Sequence, residues 1–114
     1  MKGGGIMNKL YVKVRCKKTY KEATTHVCVG EVIHETEYYL KIRGVIYSFR
    51  GKHFVSQKTA PKIGPEGVYW FPWESIAVVQ ELPVEIDWRK MKFEVIDGAL
   101  VLVDKDNKIV DKLQ

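Results

Sequence analysis

The side chains able to do chemistry in this chain are few and scattered. Its three histidines, His26, His34 and His53, stand apart, and none has a serine or cysteine and an acid arranged with it as a nucleophilic triad would require. Each is expected to be a surface or hydrogen-bonded strand residue rather than a general base. Gly3, Gly4 and Gly5 form no phosphate loop, because no strand precedes them and no lysine–threonine pair follows. Cys16 and Cys28 are too few for a disulfide framework and lack the paired spacing of a zinc site; His26-Val27-Cys28 resembles half of one, with no second cluster to complete it. The two thiols are expected to stay reduced and pack as small apolar groups. The expectation is a protein with no catalytic residue, no metal and no cofactor.

The stronger chemical signal is positive charge beside aromatic rings. The formal net charge is +5, and the excess is uneven. Residues 38–65 contain no Asp or Glu, and carry Tyr38, Tyr39, Lys41, Arg43, Arg50, Lys52, Lys58 and Lys62, with His53 among them. Such a stretch creates a field that favours anions, nucleic acid above all, with cations following the phosphates and tyrosines stacking on bases. An ordinary solvated basic face is the plainer explanation of the same residues. No run of eighteen apolar residues exists, which excludes a membrane-spanning helix. Residues 1–8 lack the apolar core of a signal peptide and are expected to be a flexible leader, with a cytoplasmic location by default.

The elements that must position these residues are strands. Residues 9–17 alternate, placing Leu10, Val12, Val14 and Cys16 inward and Lys13, Arg15 and Lys17 toward water. A second strand is expected over 26–34, with Val27 and Val29 on one side and Gly30 marking a bulge or bend. After a turn at 35–37, a third strand covers 38–49 and also carries a glycine, Gly44, beyond which its pattern turns more uniformly apolar. Residues 50–67 have no periodicity and hold glycines and prolines between lysines, as a long basic loop would.

The next stretch is the architectural centre. Val68, Tyr69, Trp70 and Phe71 suit a pleated strand, and Pro72 ends it because proline cannot donate a ladder hydrogen bond. Trp73-Glu74-Ser75 makes one tight turn, and an extended segment resumes with Ile76, Ala77, Val78 and Val79 until Pro83. Apolar groups on both faces call for burial on two sides or in an interface. Trp70, Phe71 and Trp73 are expected in the core; an exposed aromatic platform for bases is the alternative. Residues 83–92 connect onward with room for a helical turn, and strands are expected over 93–97, 99–103 and 108–113. The fold class is therefore all-β: a small, strongly bent, five-stranded barrel over 9–83, with 50–67 as its loop, followed by an extension over 84–114 carrying a C-terminal β-hairpin appendage.

Ordered this way, residues 10–83 resemble the Sm-like (LSm) family, which includes bacterial Hfq; other small barrels of SH3-like type share much of the pattern. Gly30 and Val32 match the start of the family's first motif. Glu37 falls where an Asp is expected, Tyr39 where an aromatic or Met stacks on bases, and Leu40 where an Asn reads them. In the corner, where the family carries Arg-Gly or a Lys-His pair, stands Pro72-Trp73-Glu74-Ser75. The resemblance implies a bent barrel that assembles into a ring by pairing the fourth strand of one subunit with the fifth of the next, and that binds RNA around the pore.

The edges point the same way on physical grounds. An unpaired apolar strand edge is an aggregation hazard unless covered, and a ring that closes by edge pairing covers it. The expected interface residues are Val68, Tyr69, Trp70, Phe71, Ile76, Ala77, Val78 and Val79, none of them charged. The expected partners are further copies of the chain and single-stranded RNA. A second possibility is a structural or adaptor ring that binds a protein and lacks the RNA pocket.

Overall fold

The computed structural model describes residues 9–18, 24–49, 62–83, 86–96, 99–106 and 108–112. Within them the chain is all-β, with two antiparallel sheets, two single 3-10 turns and no α-helix. The larger sheet contains β1 (Tyr11–Cys16), β2 (Thr25–Glu35), β3 (Tyr39–Phe49), a two-residue β4 (Lys62–Ile63), β5 (Gly67–Pro72) and β6 (Ile76–Leu82). Its strands run in the order β5–β3–β2–β1–β6, and β4 lies beside the far end of β3. The smaller sheet, β7 (Lys92–Ile96), β8 (Ala99–Val103) and β9 (Ile109–Lys112), is a meander rather than a lone hairpin. No helix among the described residues is long and apolar enough to cross a membrane.

Chain length forces the larger sheet to roll. In a flat sheet β5 and β6 would stand four strand spacings apart, roughly 19 Å. Only the 3-10 turn Trp73–Ser75 joins them. Fully extended, the four steps from Pro72 to Ile76 span about 14 Å at most, and a 3-10 turn rises only about 2 Å per residue. The two outer strands must therefore approach each other, and their inward side chains do meet. Phe71 of β5 and Ile76 at the start of β6 share one core with Val12, Val14, Cys28, Leu40 and Ile42.

The roll has a hinge line. Val12, Gly30, Gly44 and Gly67 stand opposite one another across β1, β2, β3 and β5. A Cβ on Gly30 would fall on the carbonyl oxygen of Arg43, and one on Gly44 on that of Val29. At this row the β2 and β3 backbones occupy the space where side chains would stand, so glycine is required on both strands.

Rolled as it is, the sheet is not a closed barrel. β5 pairs only with β3 and β6 only with β1, and among the described residues neither pairs with the other. The expected closure is absent because β5 and β6 share side-chain packing but no ladder hydrogen bonds.

The C-terminal extension is a second layer. Trp88, Met91, Phe93 and Leu102 form one buried cluster with Val27, Val29, Tyr47 and Leu82, on the face of the sheet opposite the inner core. The Tyr47 hydroxyl donates to the Met91 carbonyl at 3.1 Å, and its ring meets Phe93 edge-on at 4.7 Å. The helical turn expected near 83–92 is the 3-10 turn Trp88–Lys90, where the Asp87 carboxylate accepts from the Arg89 N–H. Lys13, expected to face water, is only 5% exposed. It lies between Val29 and Gln80 on the face that this layer covers in part, so an alternation rule that assumes one wet face misplaces it.

Two outcomes follow. Gly44→Ala should lower stability by about 1–3 kcal/mol through overpacking, measured as a reduced urea midpoint with unchanged slope. A chain ending at Pro83 should lose cooperative unfolding and bind a hydrophobic dye, because the sheet face carrying Val27, Val29 and Tyr47 loses its cover.

Candidate nucleic-acid interface

The turn after β2 and the corner after β5 hold each other. Thr36 Oγ1 accepts from the N–H groups of Tyr38 and Tyr39, both at 3.1 Å. The Trp73 indole N–H donates to the Thr36 carbonyl at 2.7 Å, and the Trp73 backbone N–H to that of Tyr38 at 3.2 Å. Trp73 is thus a half-buried bracket against the inner core, and Tyr38 projects from the turn at 74% exposure.

From this anchored turn β3 runs with Tyr39, Lys41 and Arg43 on its outward face. In register beside them on β5 stand Pro72, Trp70 and Val68. Trp70 lies 4.7 Å from Tyr39, ring to ring at 33°, and the Lys41 ammonium lies 4.7 Å from the centre of the Trp70 ring. Trp70 is 57% exposed and belongs to neither core. Across from Arg43 stands Glu31, and across from Lys41 stands His34, whose ring is 6.2 Å from Tyr39. The outward face here is an aromatic pair flanked by two cations, with one carboxylate opposite Arg43.

The extension's 3-10 turn sits against β2 and β3. Its Arg89 lies over the Trp88 ring at 4.3 Å and grips Glu66 with two hydrogen bonds, of 3.0 and 3.1 Å. Glu66 directly precedes β5, so this clamp ties the extension to the strand that carries Val68 and Trp70. The Glu66 hydrogen bond raises the Arg89 pKa further.

The structure thus gathers Tyr39, Lys41 and Arg43, leaves Tyr38 at the edge, and adds Trp70. Lys62 is in β4, while Arg50, Lys52 and Lys58 lie outside the described residues, as does the leader at 1–8. Of the two positions the sequence allows Trp70, in the core with Phe71 and Trp73 or on an exposed aromatic platform, the structure shows the exposed one. The signal against the core is cross-strand: Trp70 shares its face with both Lys41 and Arg43, a pair of charges that a packed aromatic core would leave without water. Of the other expected interface residues, Phe71 and Ile76 turn inward, Tyr69 is partly buried against the same core, and Val68, Ala77, Val78 and Val79 are exposed. Leu40, at the position of the base-reading amide in the Sm-like pattern, is 2% exposed and packs in the inner core.

His26 Nδ1 lies 3.2 Å from the Ser48 hydroxyl, and no three His, Cys, Asp or Glu side chains converge among the described residues. Burial pushes the Cys28 thiol up to about 12, reinforced by charge at Cys16, and burial also raises Cys16. Tyr47 is raised by burial and then by charge at Cys28. No family model, curated protein or solved structure matches this chain.

The thiol shifts set an alkaline limit. Cys28 holds its proton more tightly folded than unfolded, so its contribution to stability is complete below the ordinary value of 9.0 and is lost as pH rises toward about 12. The urea midpoint should therefore hold level from about pH 7 to 8.5 and fall above about pH 9, and Cys28→Ala should flatten that fall.

Proposed function

We propose that this chain is an Sm-like, self-associating β protein that binds single-stranded RNA without catalysing a reaction on it. The observation that carries this reading is the Tyr39–Trp70 ring pair, its tyrosine half-buried and its indole exposed, with Lys41 and Arg43 beside it. Rings that stack on bases and cations that neutralise phosphates are the two parts a sequence-tolerant single-strand site needs, and each stacked base contributes about 1–3 kcal/mol. Further support comes from the acid-free stretch over 38–65.

Self-association is supported by the two edges. β5 and β6 each carry exposed apolar residues and pair on one side only, and they lie at opposite ends of one sheet. Pairing β5 of one copy with β6 of the next repeats the same contact around a closed ring. The tight corner between the fourth and fifth long strands, on which the Sm-like resemblance partly rests, is the 3-10 turn Trp73–Ser75 between β5 and β6. Leu40 in the core leaves no amide to read a base edge, so the recognition proposed is stacking and charge. The competing adaptor reading draws on that same missing amide and on the exposed Val68 and Ile33.

Fluorescence anisotropy with labelled oligouridylate and oligoadenylate tests the RNA reading. Binding should be clear at low salt and weaken linearly on a double-logarithmic salt plot, by about 0.7 per phosphate neutralised. Tyr39→Ala should weaken it about tenfold, and Lys52→Glu with Lys58→Glu should reduce the slope. Light scattering should give a mass several times that of one chain. Undetectable binding at low salt, or a clean monomer at micromolar concentration, overturns the corresponding half.

A further inference from the structure

We infer that Trp70 is the principal base-stacking residue of this face and that Lys41 is its latch, lying on the indole in the free protein and giving way to an unpaired base while moving to that base's phosphate. This rests on the reading of the face as a single-strand site and adds a residue and an exchange that the Sm-like resemblance does not contain.

Trp70 belongs to neither core, yet the fold holds it in place. Both of its ring neighbours stand on β3: Tyr39, ring to ring at 4.7 Å and 33°, and Lys41, directly opposite in the ladder with its ammonium 4.7 Å from the ring centre. A large indole left more than half exposed, with the exposed Val68 beside it in the strand, is the kind of apolar surface that marks a contact site. The charge beside it selects the occupant. Lys41 and Arg43 favour an anion, Glu31 stands opposite Arg43, and Arg89 is close enough to feel the Glu31 charge.

The occupant must also offer a flat face. Bases in a duplex hide their faces in the stack, whereas an unpaired base presents one to an aromatic side chain. A cation resting on an exposed ring is held weakly, and a stacked base covers the ring more completely. Exchange then improves both contacts. The base takes the indole, and the released ammonium, still on a strand position beside it, reaches the phosphate of the same nucleotide. Because the two groups act together, removing the ring and removing the charge should affect different measurements.

The experiment uses the full chain with 12-nucleotide labelled oligoadenylate and a duplex of equal length, followed by anisotropy and by indole emission. Adding the single strand should quench tryptophan emission. In Trp70→Phe the quench should vanish while affinity stays within about threefold; Trp70→Ala should bind at least about tenfold more weakly. Lys41→Gln should keep the quench and lower the salt slope by about 0.7, and the duplex should compete poorly. If the native chain binds but Trp70→Ala binds equally well, if the quench persists in Trp70→Phe, or if duplex competes as well as single strand, this inference is overturned while single-strand binding through other residues stands. If the native chain binds nothing at low salt, both fall.

Discussion

The close backbone approach of β2 and β3 at Gly30 and Gly44 is the constraint on which the rest of the molecule depends. Neither strand has room for a Cβ at that row, and Gly67 continues it onto β5. Where side chains are absent the sheet can fold over on itself, and the three-residue link between β5 and β6 requires that it does. The roll brings Phe71 and Ile76 into one core with Val14 and Ile42. It also leaves β5 and β6 each paired on one side only among the described residues.

The same row divides the outward face. On one side of Gly44, β3 carries Val45 and Tyr47; on the other it carries Tyr39, Lys41 and Arg43. Beside Gly30, β2 repeats the division with Val27 and Val29 on one side and Glu31 and His34 on the other. The apolar half is covered by Trp88, Met91, Phe93 and Leu102. The aromatic and charged half is left open, with the Arg89–Glu66 clamp joining the cover to the strand that bears Trp70. One half of this sheet face is thus a packing surface and the other half is open, and a glycine pair separates them.

Much of this was legible in the sequence; barrel closure and the short β4 inside the expected loop were not, and two further failures share one cause. The strands, the glycine bends, the proline-ended corner and the change of pattern after Gly44 all follow from local chemistry. Lys13 and Trp70 were misplaced in opposite directions because burial is set by what lies over a strand, which alternation along that strand does not contain. Lys13 sits on a face partly covered by a distant segment, and Trp70 sits where that cover stops. The extension reads as an appendage because its partners, Val27, Val29 and Tyr47, lie 40 or more residues from Trp88 in the chain. For the candidate site, Lys41 and Arg43 were visible in the acid-free run and its alternation with Leu40 and Ile42, and Tyr39 at the stacking position of the Sm-like resemblance; choosing the exposed position for Trp70 over the core required the register between β3 and β5.

If neighbouring copies complete both edges of the rolled sheet, as proposed, backbone amide exchange across a range of protein concentrations will register it. The outward amides of β5 and β6 should exchange quickly when the protein is dilute and become protected together as concentration rises. Exchange at the unprotected rate in either strand at every concentration would contradict it.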